Sequence, residues 1–136
     1  MTKLEAFNDY MVVIVEPTFM DYHAHPGSTR LAFLACVAVY HSIDRFKRKP
    51  GNLREEWRKK SVTFQIVDMI AHHLKHVQSN DERCKEPRPN TIPLTSLVFN
   101  DGAAIPNSLA VDHHNLYFVI RDAIIFVKEQ AQLRLS

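Results

Sequence analysis

The sequence predicts a mainly all-α fold: a bundle of four main helices plus a short one, with a loop or small β-hairpin inserted before the last helix. Three observations lead there. Apolar residues recur at helical three-and-four spacing in several stretches. Helix-starting residues precede most of those stretches, at Thr2, Asn52, Ser61 and Asp112. The one stretch that alternates, LTSLVFNDGAAI, is short and only weakly strand-like. A chain of 136 residues, 46% hydrophobic and 24% charged, has the size of one domain over 1–136 and the composition of a folded protein.

The first helix opens at Thr2 with Glu5 three positions on, a capping-box pattern. Leu4, Phe7, Tyr10, Met11 and Ile14 share its inner face, and Pro17 is expected to stop it. A short aromatic segment and the turn His25-Pro26-Gly27-Ser28 lead to a central helix. Its residues from Leu31 to Tyr40 are apolar all the way round, as in a helix covered on most sides. Pro50 and Gly51 break the chain again. Asn52 with Glu55 repeats the cap signature before LREEWRKK, a short charged surface helix anchored by Trp57. Ser61 caps the next helix, which runs to about Val77 and gives way to the polar QSNDERCKEPRPN, where prolines 87, 89 and 93 exclude helix. Asn100-Asp101-Gly102 supplies the turn signal of the hairpin. Asp112 is the expected N-cap of a long last helix whose buried stripe is Leu116, Ile120, Ala123, Ile124 and Val127. Phe118, Ile125 and Phe126 lie off that stripe and predict a homodimer face.

Composition narrows the function classes. A net charge of +2 and a pI of about 8.6 give no argument for nucleic acid from bulk charge. Cys36 falls in an apolar run and Cys84 in a polar loop, so a disulfide framework is not expected. The N-terminal stretch lacks a secretory cleavage pattern, and no apolar run reaches the roughly 18 residues of a membrane span. The expected setting is cytoplasmic, without membrane contact. Three glycines, and no GxSxG, P-loop or Rossmann pattern, argue against nucleotide-fold enzymes.

The strongest chemical signal is IVDMIAHHLKHV, where Asp68, His72 and His76 recur four apart with Lys75 beside them. On a wheel of about 100° per residue, Ile66, Val67, Ile70, Leu74 and Val77 form the apolar face. Asp68, His72, Lys75 and His76 lie opposite, and His73 sits nearer the apolar stripe as a packed core histidine. One reading is a polar helix face with an internal Asp–Lys or Asp–His pair. The sharper reading adds His41 and Asp44, which follow Tyr40 where the central helix turns polar. His72, His76 and Asp68 would then hold a divalent metal such as zinc, with His41, Asp44, Asp68 and Lys75 as catalytic residues. Without metal, His41 or His72 would serve as base.

A second signal is basic. Arg45, Lys47, Arg48, Lys49, Arg54, Arg58, Lys59 and Lys60 fall within one short interval, with Phe46 and Trp57 interleaved as candidate stacking residues. Asp21, His23 and His25 imitate the HxH of amidohydrolase barrels, but such a barrel needs about 250 residues. They are expected in a polar connection between helices. His113 and His114 fall in the first turn of the last helix, where the helix dipole disfavours protonation. Arg121 and Asp122 suggest an inter-helix ion pair.

The segments ACVAVYHSID, NLREEWRKKS and FQIVDMIAHHLKHV resemble a group of small uncharacterised bacterial helical proteins with YHxxD and DxxAHxxKH-like segments. The matching positions are Tyr40, His41, Asp44, Asp68, Ala71, His72, Lys75 and His76. That resemblance covers about Leu31 to Val77 and implies no activity. The helical layout is remotely similar to HEPN-type bundles, which include RNA-cutting toxins. Their nuclease motif, an arginine followed by four to six residues and a histidine, is absent, so the likeness implies fold alone. Two functions follow as expectations. One is a binding module that meets a protein partner or nucleic acid through residues 45–60. The other is a metal-dependent or general acid–base hydrolase built on the His/Asp cluster.

Overall fold

Thr2 begins the first helix as the sequence predicts. Its hydroxyl accepts from the Glu5 N–H at 3.1 Å, and its own N–H donates to the Glu5 carboxylate at 2.7 Å. In the computed structural model, which describes residues 1–75 and 113–136, α1 (Lys3–Tyr10) continues through a π-helical turn (Met11–Val15) into α2 (Glu16–Ala24). Pro17 therefore does not end the helix. The wide turn, in which the Glu16 N–H reaches back to the Met11 carbonyl, displaces the backbone that a proline ring would strike. The Thr18 hydroxyl donates to the Ile14 carbonyl at 2.6 Å just beyond the proline. The extra residue also rotates the faces. Phe7, Met11, Val15 and Tyr22 are buried, whereas Ile14, expected inside, is exposed with Val12 and Val13.

The expected aromatic linker is thus helical to Ala24, and Asp21 and His23 lie on α2 rather than in a connection. His25 to Ser28 make the turn. The Ser28 hydroxyl caps α3 (Thr29–His41) by accepting from the Leu31 N–H at 3.1 Å. Ala32, Ala35, Cys36, Ala38 and Val39 are buried, while Leu34 reaches solvent, so α3 is covered on most sides but not all. Its small residues let it lie between the first rod and α5 (Val62–Lys75), and α6 (His113–Leu135) closes the bundle. A 3₁₀ turn (Ser42–Arg45) and a short loop lead to α4 (Gly51–Lys60), which packs on α5. The arrangement is four main helical rods and one short helix, all-α among the described residues. The hairpin expected at 94–105, the polar loop expected around Cys84, and the cap expected at Asp112 lie outside those residues.

Two sequence expectations about α4 change. Helix starts at Gly51 with Pro50 as its uncapped N-cap residue, so Asn52 is inside the first turn and caps nothing. Trp57 anchors α4 as expected but is no stacking residue: it is fully buried, with Phe46, Phe64 and Phe126 rings at 4.9, 5.3 and 5.5 Å, all near perpendicular. Phe126, expected on a dimer face, belongs to this aromatic knot, while Phe118 and Ile125 stay exposed. The stripe Leu116, Ile120, Ala123, Ile124 and Val127 is buried as the spacing predicts. Burial also pushes the Cys36 thiol up to about 12, which keeps it protonated inside α3.

The knot ties α4, α5 and α6 together. Replacing Trp57 with Ala is expected to cost about 3–5 kcal/mol in denaturant unfolding, the scale of a large core cavity. A loss under about 1 kcal/mol would contradict the packing.

Candidate functional site

The Asp68 side chain is fully buried, and α4 is what covers it. The wheel reading, which puts Asp68 opposite the apolar face, misses this because α5 is enclosed on several sides. Ile66, Val67, Met69, Ile70 and Ala71 are buried as well. A carboxylate in that position must be paired. Arg54 supplies a two-pronged partner, with Nε donating to Oδ1 at 3.0 Å and Nη2 to Oδ2 at 3.3 Å. Arg58, one turn further along α4, brings Nη1 to 3.5 Å of Oδ2 and donates from Nη2 to Glu55 at 2.6 Å.

His72 completes the cluster from Asp68's own helix, the Asp–His pair that the four-residue spacing allows. Its Nδ1 lies 2.9 Å from the Asp68 carbonyl oxygen and 3.1 Å from Oδ1. Both are acceptors, so Nδ1 carries the hydrogen. The Tyr40 ring meets both histidines edge-on, 5.1 Å from His72 and 5.0 Å from His41. The Arg54 guanidinium lies 5.8 Å from the Tyr40 ring centre. Burial raises the Tyr40 pKa, against the pull of the Arg54 charge. Tyr40 therefore acts as a neutral ring at neutral pH.

His41 and Asp44 do not converge on His72. They form their own exposed pair, Nδ1 to Oδ2 at 3.0 Å. The pairing puts the hydrogen on Nδ1 and leaves Nε2 as the lone-pair nitrogen of neutral His41. Lys75 ends α5 with its side chain outside the described residues, as do the side chains of His73, His113 and His114 and the whole of His76. Among the described residues no three His, Cys, Asp or Glu side chains gather to hold a metal ion. In the expected set of His72, His76 and Asp68, the Asp68 carboxylate is committed to two guanidiniums, whose charge opposes a cation there.

The expected basic surface divides in three. Arg54 and Arg58 turn inward to Asp68. Trp57 and Phe46 are buried and present no ring to a base. Arg45, Lys47, Arg48, Lys49, Lys59 and Lys60 remain exposed. Arg45 lies 4.6 Å over the Tyr10 ring, whose hydroxyl donates to the Ala38 carbonyl at 2.7 Å, and Lys60 pairs with Glu56 at 3.3 Å. Arg121 and Asp122 pair with each other on one helix at 3.1 Å, not between helices, and Arg121 lies over the Phe118 ring. The four-residue spacing of Arg54 and Arg58 puts both on one face of α4, and that face meets Asp68.

The two carboxylates are expected to differ sharply on removal. Asp68→Ala leaves two guanidiniums facing a buried gap and should cost about 3–5 kcal/mol in denaturant unfolding. Asp44→Ala, at an exposed pair, should cost less than about 1 kcal/mol. Equal losses would contradict the assignment of Asp68 as the structural centre. No protein-family model, curated protein or solved structure matches this chain.

Proposed function

We propose that this protein is a non-catalytic helical module that binds nucleic acid through phosphate contacts along residues 45–60. The observation that carries the reading is charge segregation on a fixed support. Residues 44–60 hold eight basic and three acidic side chains, a surplus of five positive charges in a chain of net +2, which leaves the remainder at −3. Such separation focuses a positive potential on one face whatever the net charge. Arg54, Arg58 and Trp57 hold α4 to the core, so Lys59 is carried on a fixed helix, with Lys47, Arg48 and Lys49 in the loop leading into it.

With both aromatic rings buried, the contact is electrostatic and tolerant of sequence, without base stacking. Fluorescence anisotropy with single-stranded and duplex oligonucleotides tests it. Binding should weaken linearly in log–log salt plots, by about 0.9 per duplex phosphate contacted. The triple reversal Arg48→Glu, Lys49→Glu, Lys59→Glu should lower affinity at least about tenfold and flatten that slope by two to three contacts' worth. Trp57 emission should stay unquenched by bound strand. Absent binding, or binding without salt dependence, refutes the reading and turns the search to a protein partner.

A second reading draws on the His41–Asp44 pair. A carboxylate holding Nδ1 of an exposed histidine is the arrangement of a general base, so acid–base hydrolysis is the alternative. It requires phosphodiester or ester turnover that disappears in His41→Ala while the helical circular dichroism is kept. Turnover that survives in His41→Ala rules it out.

A further inference from the structure

The basic loop borders a groove of about 540 Å³ that none of the foregoing uses. Three distant parts of the chain build it: Lys3 near the N-terminus, Lys47 before α4, and Arg134 near the end of α6. Phe46, Leu53 and Leu135 give it an apolar wall, and Asn52 lies in the adjoining first turn of α4. The volume falls in the range of small-molecule sites.

The charges in the groove are not equivalent. Glu56, its one acidic side chain, bonds to Arg134 and pairs with Lys60 at 3.3 Å, so its charge is already answered. Lys3 donates to the Phe46 carbonyl at 3.4 Å, which holds its ammonium beside the loop. Neither Lys3 nor Lys47 has a carboxylate within ion-pair distance among the described residues. Two ammonium groups without counter-charge therefore flank an apolar wall. The start of α4 carries no side-chain cap, and its dipole adds to the same positive field.

From this juxtaposition we infer that the groove between Lys3, Lys47 and Arg134 binds a phosphate monoester, with the ester's organic part on Phe46, Leu53 and Leu135. A dianion matches the two uncompensated ammonium charges, whereas a carboxylate would leave one unmatched. The inference stands apart from the nucleic-acid reading, because Lys3 and Arg134 lie outside residues 45–60 and the earlier reversal spares Lys47. A monoester reaches the groove either as a free small molecule or as the 5′ end of a strand.

Isothermal titration of the full chain, at constant ionic strength, tests it with inorganic phosphate, adenosine 5′-monophosphate and adenosine. Phosphate and the monophosphate should bind saturably, the monophosphate more tightly, and adenosine should not bind. The exposed pair Lys3→Met, Lys47→Met should weaken the monophosphate at least tenfold with unchanged circular dichroism, while Arg48→Glu, Lys49→Glu, Lys59→Glu should keep a saturable site. A 5′-phosphorylated oligonucleotide that outbinds its 5′-hydroxyl twin, with the difference lost in Lys3→Met, Lys47→Met, supports the site with a strand end as its source. Equal affinity of the twins beside saturable monophosphate binding supports it with a free ester as its source. No saturable binding of either phosphate species, or affinity unchanged in Lys3→Met, Lys47→Met, overturns the inference.

Discussion

The Asp68 carboxylate is the constraint on which α4, and with it the basic face, depends. A charge taken fully out of water costs several kcal/mol unless its lone pairs are met. Here Arg54 meets both oxygens, Arg58 adds a second cation, and His72 Nδ1 supplies a further donor. The arrangement is directional in a way that apolar packing is not. It fixes the rotation of α4 about its own axis, because only one face of that helix carries arginines one turn apart.

That fixation matters because α4 is weak by itself. Ten residues is shorter than an isolated helix tolerates in water, and its only buried side chains are Leu53 and Trp57. Trp57 contributes apolar area through the Phe46, Phe64 and Phe126 knot, and Asp68 contributes orientation. The exposed Lys47 and Lys49 lead into α4 and the exposed Lys59 lies near its end, none of them paired with a carboxylate among the described residues. Preordering cations in this way lowers the entropy lost when an anion binds. The charges of this region are divided in space: Arg54 and Arg58 face Asp68, while Arg45, Lys47, Arg48, Lys49, Lys59 and Lys60 face outward.

Much of the fold was legible in the sequence. The Thr2–Glu5 box, the Ser28 turn, the Ser61 cap and the Leu116 to Val127 stripe are local patterns, and local patterns report helices well. Pro17 misled because a π-helical turn, which absorbs the proline, has no sequence signature of its own. The site was legible only in part. Periodicity ranks faces by hydrophobicity, so it put Asp68 opposite the apolar face and left both solvent and a cleft open to it; it takes no account of a second helix arriving with two guanidiniums. The stacking role offered to Trp57 fails for the same reason, since the sequence does not show the three rings that enclose it. The groove at Lys3, Lys47 and Arg134 joins both ends of the chain and leaves no local pattern to read.

The most direct measurement is a double-mutant cycle on Arg54 and Asp68, with Arg54→Met, Asp68→Leu and the pair, by denaturant unfolding. If the carboxylate and guanidinium hold each other, each single variant takes a charged contact from its partner, and the double variant should be more stable than the two losses summed, by roughly 1.5–3 kcal/mol of coupling. Additive losses would mean that the two side chains do not act together, and that something other than Asp68 sets the position of α4.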